Sequence, residues 1–247
     1  MNVSELLRIE QRNCYGELAI DFESAIFAAY PGVVIAYDTP GCWGHSGRAV
    51  LRQRDDGKWL LVVPSGKYSS GKHFHTAGCG IMAIESSRKK LNLAGCPLFL
   101  LSTYAYNGDY RSLKRCYWLF GKNEDDSFFL HQVRPKIGET GDLDLVRRWL
   151  WELKATESIA GRQGDLAFIK KAKPSGDRLT HRLAGGDCYS DSVQIGNHLV
   201  RGSEVYATKH RYYVLNPAAT HHEHYTVALE GWHELRLAKV WSSSRGD

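Results

Sequence analysis

"TESIAGRQGDLAFIKKA", residues 156–172, is the stretch at which the chain changes character. Ahead of it, segments with helical spacing alternate with strand-like runs. After it the apolar residues fall only into short β-type runs: "DLAFIKKA", "LTHRLA", "DSVQIGNHLVRG", "SEVYATKHRYYVLN", "YTVALEG" and "HELRLAKVW". Short strands at this spacing, with turn residues between them, predict a small barrel or sandwich. Arg162 and Asp165 flank a Gln-Gly turn that leads into the first of these strands. Asp165 is expected to hold Arg162 in a local ion pair or, more simply, the turn sets the strand's register.

Working backward, "DLDLVRRWLWELKA" is the best helix in the chain. Asp142 can cap it, and Leu145, Trp149 and Leu153 form a stripe at i, i+4 and i+8. "CPLFLLSTYAY" and "KRCYWLFGKNEDDSFFLHQV" read as three strands with a turn at "KNEDDS". "IMAIESSRKKLNLAG" (81–95) is predicted helical, stopping at Gly95. "RAVLRQR" and "KWLLVVP" flank "DDG", a tight-turn signal. "PGVVIAYDTPG" reads as a strand, and 4–13 and 17–30 carry helical spacing. The fold class expected is therefore α+β, with an N-terminal mixed helix/strand domain over 1–158. A small all-β, His-rich barrel or sandwich follows over 161–241.

Composition suits a soluble globular protein. Of 247 residues, 43% are hydrophobic and 24% charged, and no apolar run is long enough to cross a bilayer. The first residues lack the apolar stretch of a signal peptide, so a cytoplasmic protein without a membrane partner is expected. Cys14, Cys42, Cys79, Cys96, Cys116 and Cys188 are scattered with no C-x-x-C pair, which excludes a zinc ribbon or a dithiol motif. The net charge of +5 permits a polyanionic partner without demanding one.

"GRQGDLAFIK" (161–170), "QIGNHLV" (194–200) and "NPAATHHEHYTVAL" (216–229) resemble a bacterial and phage protein family of no established activity. That family opens its C-terminal domain with Arg-Gln-Gly-Asp and continues with Gly-His-x-His and His-Glu-Glu-His elements. The resemblance extends through "DSFFLHQV" (126–133) and "RRWLWELK" (147–154), about half the chain. It implies domain limits and candidate positions only. This chain departs from it at Gly196-Asn197-His198, one histidine fewer, and at His221-His222-Glu223-His224.

Seven of the eleven histidines lie beyond residue 180. If 221–229 is extended, His222 and His224 project to one face. With His198 from a neighbouring strand they could hold a divalent transition metal, zinc first, leaving an open position for a hydrolytic water. His221 and Glu223 would then stand behind them, or Glu223 would act as a base. Solvated strand histidines, or metal-free acid–base contacts, are the other readings. A second cluster, His73, His75 and Cys79, sits in a glycine-rich segment read as a loop. It could supply three soft ligands or an activated thiol, or simply a packed Cys79.

Aromatic and basic residues interleave in "YRSLKRCYWLF" and "KHRYYVLN". Arg111, Lys114, Arg115, Tyr117, Lys209, Arg211 and Tyr213 are candidate contacts to RNA or single-stranded nucleic acid, since stacking beside cations binds single strands; the same alternation also occurs on ordinary solvated strands. The leading expectation is a nucleic-acid-associated binding protein. A metal-dependent hydrolase and a phage or bacterial assembly protein, with a protein partner or a homo-oligomer, are the alternatives.

Overall fold

The computed structural model describes residues 2–38, 48–70, 73–86, 97–107, 114–123, 126–175, 177–178, 180–183, 186–189, 191–208, 211–221 and 224–239. Among the described residues the protein is mostly β, with 51% strand and 13% helix, the latter in four short helices. The α+β expectation is corrected accordingly: the N-terminal portion, too, is built mainly of strands.

The helical spacing of residues 4–30 yields only α1 (Val3–Leu6) and α2 (Phe22–Ala29). Asp21 caps α2 by accepting a hydrogen bond from the Ser24 N–H at 2.7 Å, and Phe22, Ala25 and Ile26 are its buried face. Next, β1 (Val33–Asp38) and β2 (Val50–Gln53) flank β3 (Trp59–Pro64), parallel and antiparallel respectively. The β2–β3 turn is the expected Asp55-Asp56-Gly57, with Gly57 at φ 79°. Five further strands form an antiparallel sheet in chain order: β4 (Gly66–Ser70), β5 (His73–Ser86), β6 (Pro97–Asn107), β7 (Lys114–Lys122) and β8 (Phe128–Val133).

The start of the helix predicted over 81–95 lies in β5, paired with β6; residues 87–95 fall outside the described residues. A short apolar run fits helix or strand equally well, and here a long partner strand decides. Ile81, Phe99, Leu101, Trp118 and Phe120 on one face of this sheet pack on α2 and β3. On the other, Met82, Leu98, Leu100, Leu119 and Val133 pack on Leu143, Val146 and Leu150 of α4 (Leu143–Leu150), which follows α3 (Pro135–Gly138). A sheet covered on both faces explains the unbroken apolar run Leu98–Leu101.

Asp142 caps α4 through the Leu145 N–H at 3.1 Å, as expected. The apolar stripe is rotated, however, because Leu145 is exposed and the helix stops at Leu150. Two turns are too few to carry a stripe out to Leu153.

Beyond residue 158 the described elements are all strands. They are β9 (Ile159–Gln163), β10 (Leu166–Lys170), β11 (Asp177–Arg178), β12 (Thr180–Leu183), β13 (Gly186–Tyr189), β14 (Ser192–Ile195), β15 (His198–Arg201), β16 (Glu204–Ala207), β17 (Tyr212–Leu215), β18 (Ala218–His221), β19 (His224–Ala228) and β20 (Trp232–Leu237). A six-stranded sheet, β11-β16-β17-β20-β10-β9, faces a four-stranded one, β14-β15-β18-β19; β12 and β13 pair separately. Leu166, Phe168, Val205, Val214 and Leu235 of the first sheet meet Val193, Val200 and Ala219 of the second. The arrangement is sandwich-like, and no sheet closes into a barrel among the described residues. The middle core also crosses residue 160, since Ala167, Ile169 and Ala238 pack with α4 and the five-stranded sheet.

Candidate functional site

Gln163 pairs with Leu166, so Gly164 and Asp165 form a two-residue hairpin turn between β9 and β10. Gly164 takes φ 57°, a conformation glycine adopts without a Cβ penalty. The Asp165 carbonyl accepts from the Trp151 indole at 3.1 Å and from the Ala238 N–H at 2.9 Å, which fixes the turn against both flanking segments.

Three side chains of "RQGD" diverge from this turn. Arg162 is buried, donates to Asn123 Oδ1 at 2.9 Å, and lies 4.4 Å from the Phe129 ring centroid and 5.7 Å from that of Trp151. Asp165 points its carboxylate at His198 Nε2, 2.7 Å away. Buried Gln163 ties His198 to β18 and β19: its amide NH2 donates to the carbonyls of Ala219 at 2.9 Å and Tyr225 at 2.6 Å. Those two acceptors fix the orientation of the amide, so Oε1 must accept from His198 Nδ1 at 2.9 Å.

His198 is 2% exposed, whereas the Asp165 side chain is 46% exposed. Asp165 is thus the member of the pair open to solvent. Burial pushes its carboxyl up, but the hydrogen bond from His198, with the charges of His198 and His131, outweighs this and holds it below the ordinary value. A carboxylate kept ionised in this way is a weak proton acceptor and a strong hydrogen-bond acceptor.

Gly164 and Asp165 form one wall of a cleft of about 1120 Å³. Its other walls come from Tyr30 to Gly32, from the β2–β3 turn with Lys58 and Trp59, and from the β7–β8 hairpin with Lys122, Asn123 and Asp126. His131 of β8 also lines it. The His131 Nε2 is buried without a hydrogen-bond partner among the described residues. Burial and the Arg162 charge push this ring down to about 4, against an opposing pull from Asp165, so it is neutral at pH 7.

Of the predicted metal set, His198 is held as described. His222 and Glu223 lie outside the described residues. The run is not one extended strand: β18 ends at His221 and β19 begins at His224, and these two are register partners across the reversal. The His221 ring centroid is 4.8 Å from that of His198. In the second cluster, the expected loop is strand β5. At ~3.3 Å per residue, the backbone positions of His73 and Cys79 stand ~20 Å apart along it. Burial, with Glu17, Glu23 and Asp21 nearby, pushes the Cys79 thiol up to about 12, the opposite of activation.

The residues chosen as nucleic-acid contacts are dispersed. Arg111 and Lys209 lie outside the described residues, and Lys114 opens β7. Tyr117 is 2% exposed and belongs to the middle core, so its ring offers no face to a base. Arg115 donates to the Tyr15 carbonyl at 3.0 Å, lies 3.6 Å from Glu17 and packs on the Tyr15 ring. Arg211 pairs with Glu152 at 2.5 Å and Glu234 at 3.3 Å, and Tyr213 is half-buried in β17.

Sequence reasoning passed over Gln163, His131 and Trp151. Only Gln163 carried a signal, as part of the Arg-Gln-Gly-Asp turn. Comparison with protein-family models, curated proteins and solved structures returns no match, so the likeness to a phage and bacterial family stands on the quoted residues alone. Among the described residues, no helix is long and apolar enough to cross a membrane.

Proposed function

We propose that the protein is a ligand-binding protein whose recognition group is Asp165, at the wall of the cleft. One observation carries this reading: a buried His198, itself fixed by Gln163, holds a half-exposed carboxylate in place. Preorganised acceptors of this kind reduce the ordering cost of binding. The ligand presents hydroxyl or amine hydrogens. Single-stranded nucleic acid draws less support, because phosphate would meet Asp165 and Asp126 in the cleft and the candidate basic strands spend Arg115 and Arg211 on acidic partners. Among the described residues, the free thiols of Cys14 and Cys79 support a reducing, cytoplasmic setting.

The test is a fragment screen by NMR on the wild type and on Asp165→Ala. Hydrogen-bond donors should shift signals of cleft residues in the wild type and lose affinity in the variant. Equal binding of donors to both proteins would sink the reading.

A second reading, a transition-metal site that supports hydrolysis, is favoured by the packing of His221 on His198, with ring centroids 4.8 Å apart. Elemental analysis of untagged protein, purified without chelators or a metal-affinity step, tests it. About one equivalent of zinc, lost in His221→Ala, supports the site; no metal, even after zinc is added back, removes it.

A further inference from the structure

The cleft combines three properties that together narrow its ligand. Among the described lining residues the formal charges balance: Lys58 and Lys122 stand against Asp126 and Asp165, and Lys122 meets Asp126 at 2.5 Å. The neutral His131 ring adds nothing to the balance. The described lining is therefore not of the single-sign kind that concentrates charged ligands. Its polar lining also includes the uncharged groups Gln53, Asn123 and Ser127. Finally, the partly buried Trp59 ring is on the wall, set edge-on to Phe128 with centroids 5.9 Å apart. At about 1120 Å³ the space exceeds what a single small ring fills.

Hydroxyl hydrogens suit a carboxylate acceptor, and CH-rich ring faces suit an indole; one class of molecule offers both on a neutral frame. Resting on the ligand-cleft reading above, we infer that the cleft takes an uncharged, polyhydroxylated ligand, a short carbohydrate chain. Asp165 accepts from its hydroxyls and Trp59 packs on a ring face. A polyphosphate or an acidic peptide would set its charges against Asp126 and Asp165 without a matching excess of cations.

The experiment uses the full chain and four soluble probes: the hexasaccharides of cellulose, starch, chitin and xylan. Binding is read by calorimetry and by the Trp59 indole NMR signal. At least one probe is expected to bind at millimolar concentration or tighter and to move that signal. Trp59→Ala should weaken it about tenfold or more, and Trp59→Phe should retain part of it. Asp165→Asn should weaken it too, with circular dichroism of each variant unchanged. If no sugar moves the indole signal while charged fragments do, the carbohydrate assignment is overturned and the cleft remains a ligand site. If neither sugars nor fragments bind there, both readings fail together.

Discussion

Glu17 and Asp165 are both acids set among buried partners, but one is sealed and the other open. The Glu17 carboxylate lies over β5, where a Cβ on Gly80 would come within 2.4 Å of its Cδ. It accepts from Ser102 and from Asn13 at 2.8 Å, and Arg115 stands 3.6 Å away. At 5% exposure it is spent on tying the N-terminal segment to β6 and β7. Asp165 has an equally well-defined partner in His198, yet half of its side chain faces solvent. Full satisfaction marks a structural acid; a fixed but open carboxylate marks one available to a ligand.

The sharpest way to break this contrast is Glu17→Ala. It strips half-buried Arg115 and buried Ser102 of an acceptor and should cost about 3 kcal/mol in urea unfolding; a loss below about 1 kcal/mol would make the sealed network ornamental. Gln163→Ala comes next, at about 2 kcal/mol, because two backbone carbonyls and the His198 ring lose their partner. The same variant should also weaken cleft binding if His198 positions Asp165.

His131 gives a pH effect of up to about 3 kcal/mol. Its folded value, about 4, lies below the ordinary 6.5, so between them the unfolded chain binds more protons. Stability should therefore fall as pH drops from about 6.5 toward 4, and His131→Phe should flatten that slope. The smallest effect belongs to Asp165→Asn, a few tenths of a kcal/mol at neutral pH because the group is half exposed. Its depressed carboxyl contributes stability above the ordinary 3.8 and loses it as pH falls through the lower folded value, so wild type and variant should converge in acid. A large stability loss at pH 7 would place Asp165 with Glu17 among the structural acids.

What could be read from sequence was local chemistry. The Asp-Gly turn at 56–57, the Asp142 cap and the hairpin at 123–127 each follow from a few adjacent residues. Ile81–Ser86 could not be assigned, because the same apolar run serves either period until its partner strand is known. Tyr117 was misplaced for a related reason: alternation separates inside from outside only when one face is wet, and β7 is covered on both. The histidine run hid a chain reversal that alternation cannot detect. Gln163 and His198 meet across 35 residues, a pairing that no spacing rule announces.

The order of strands in the six-stranded sheet sets a sequence of events in time. β20 lies between β17 and β10, and Leu166 pairs with Leu237. During synthesis β10 emerges long before the neighbour that completes its inner edge. Until β20 arrives, that edge offers unpaired backbone groups to other chains. The Asp165 carbonyl, which needs the Ala238 N–H, acquires its last hydrogen bond only then. The Gly164–Asp165 wall of the cleft therefore rests on a contact of long sequence separation, the kind that is slow to close.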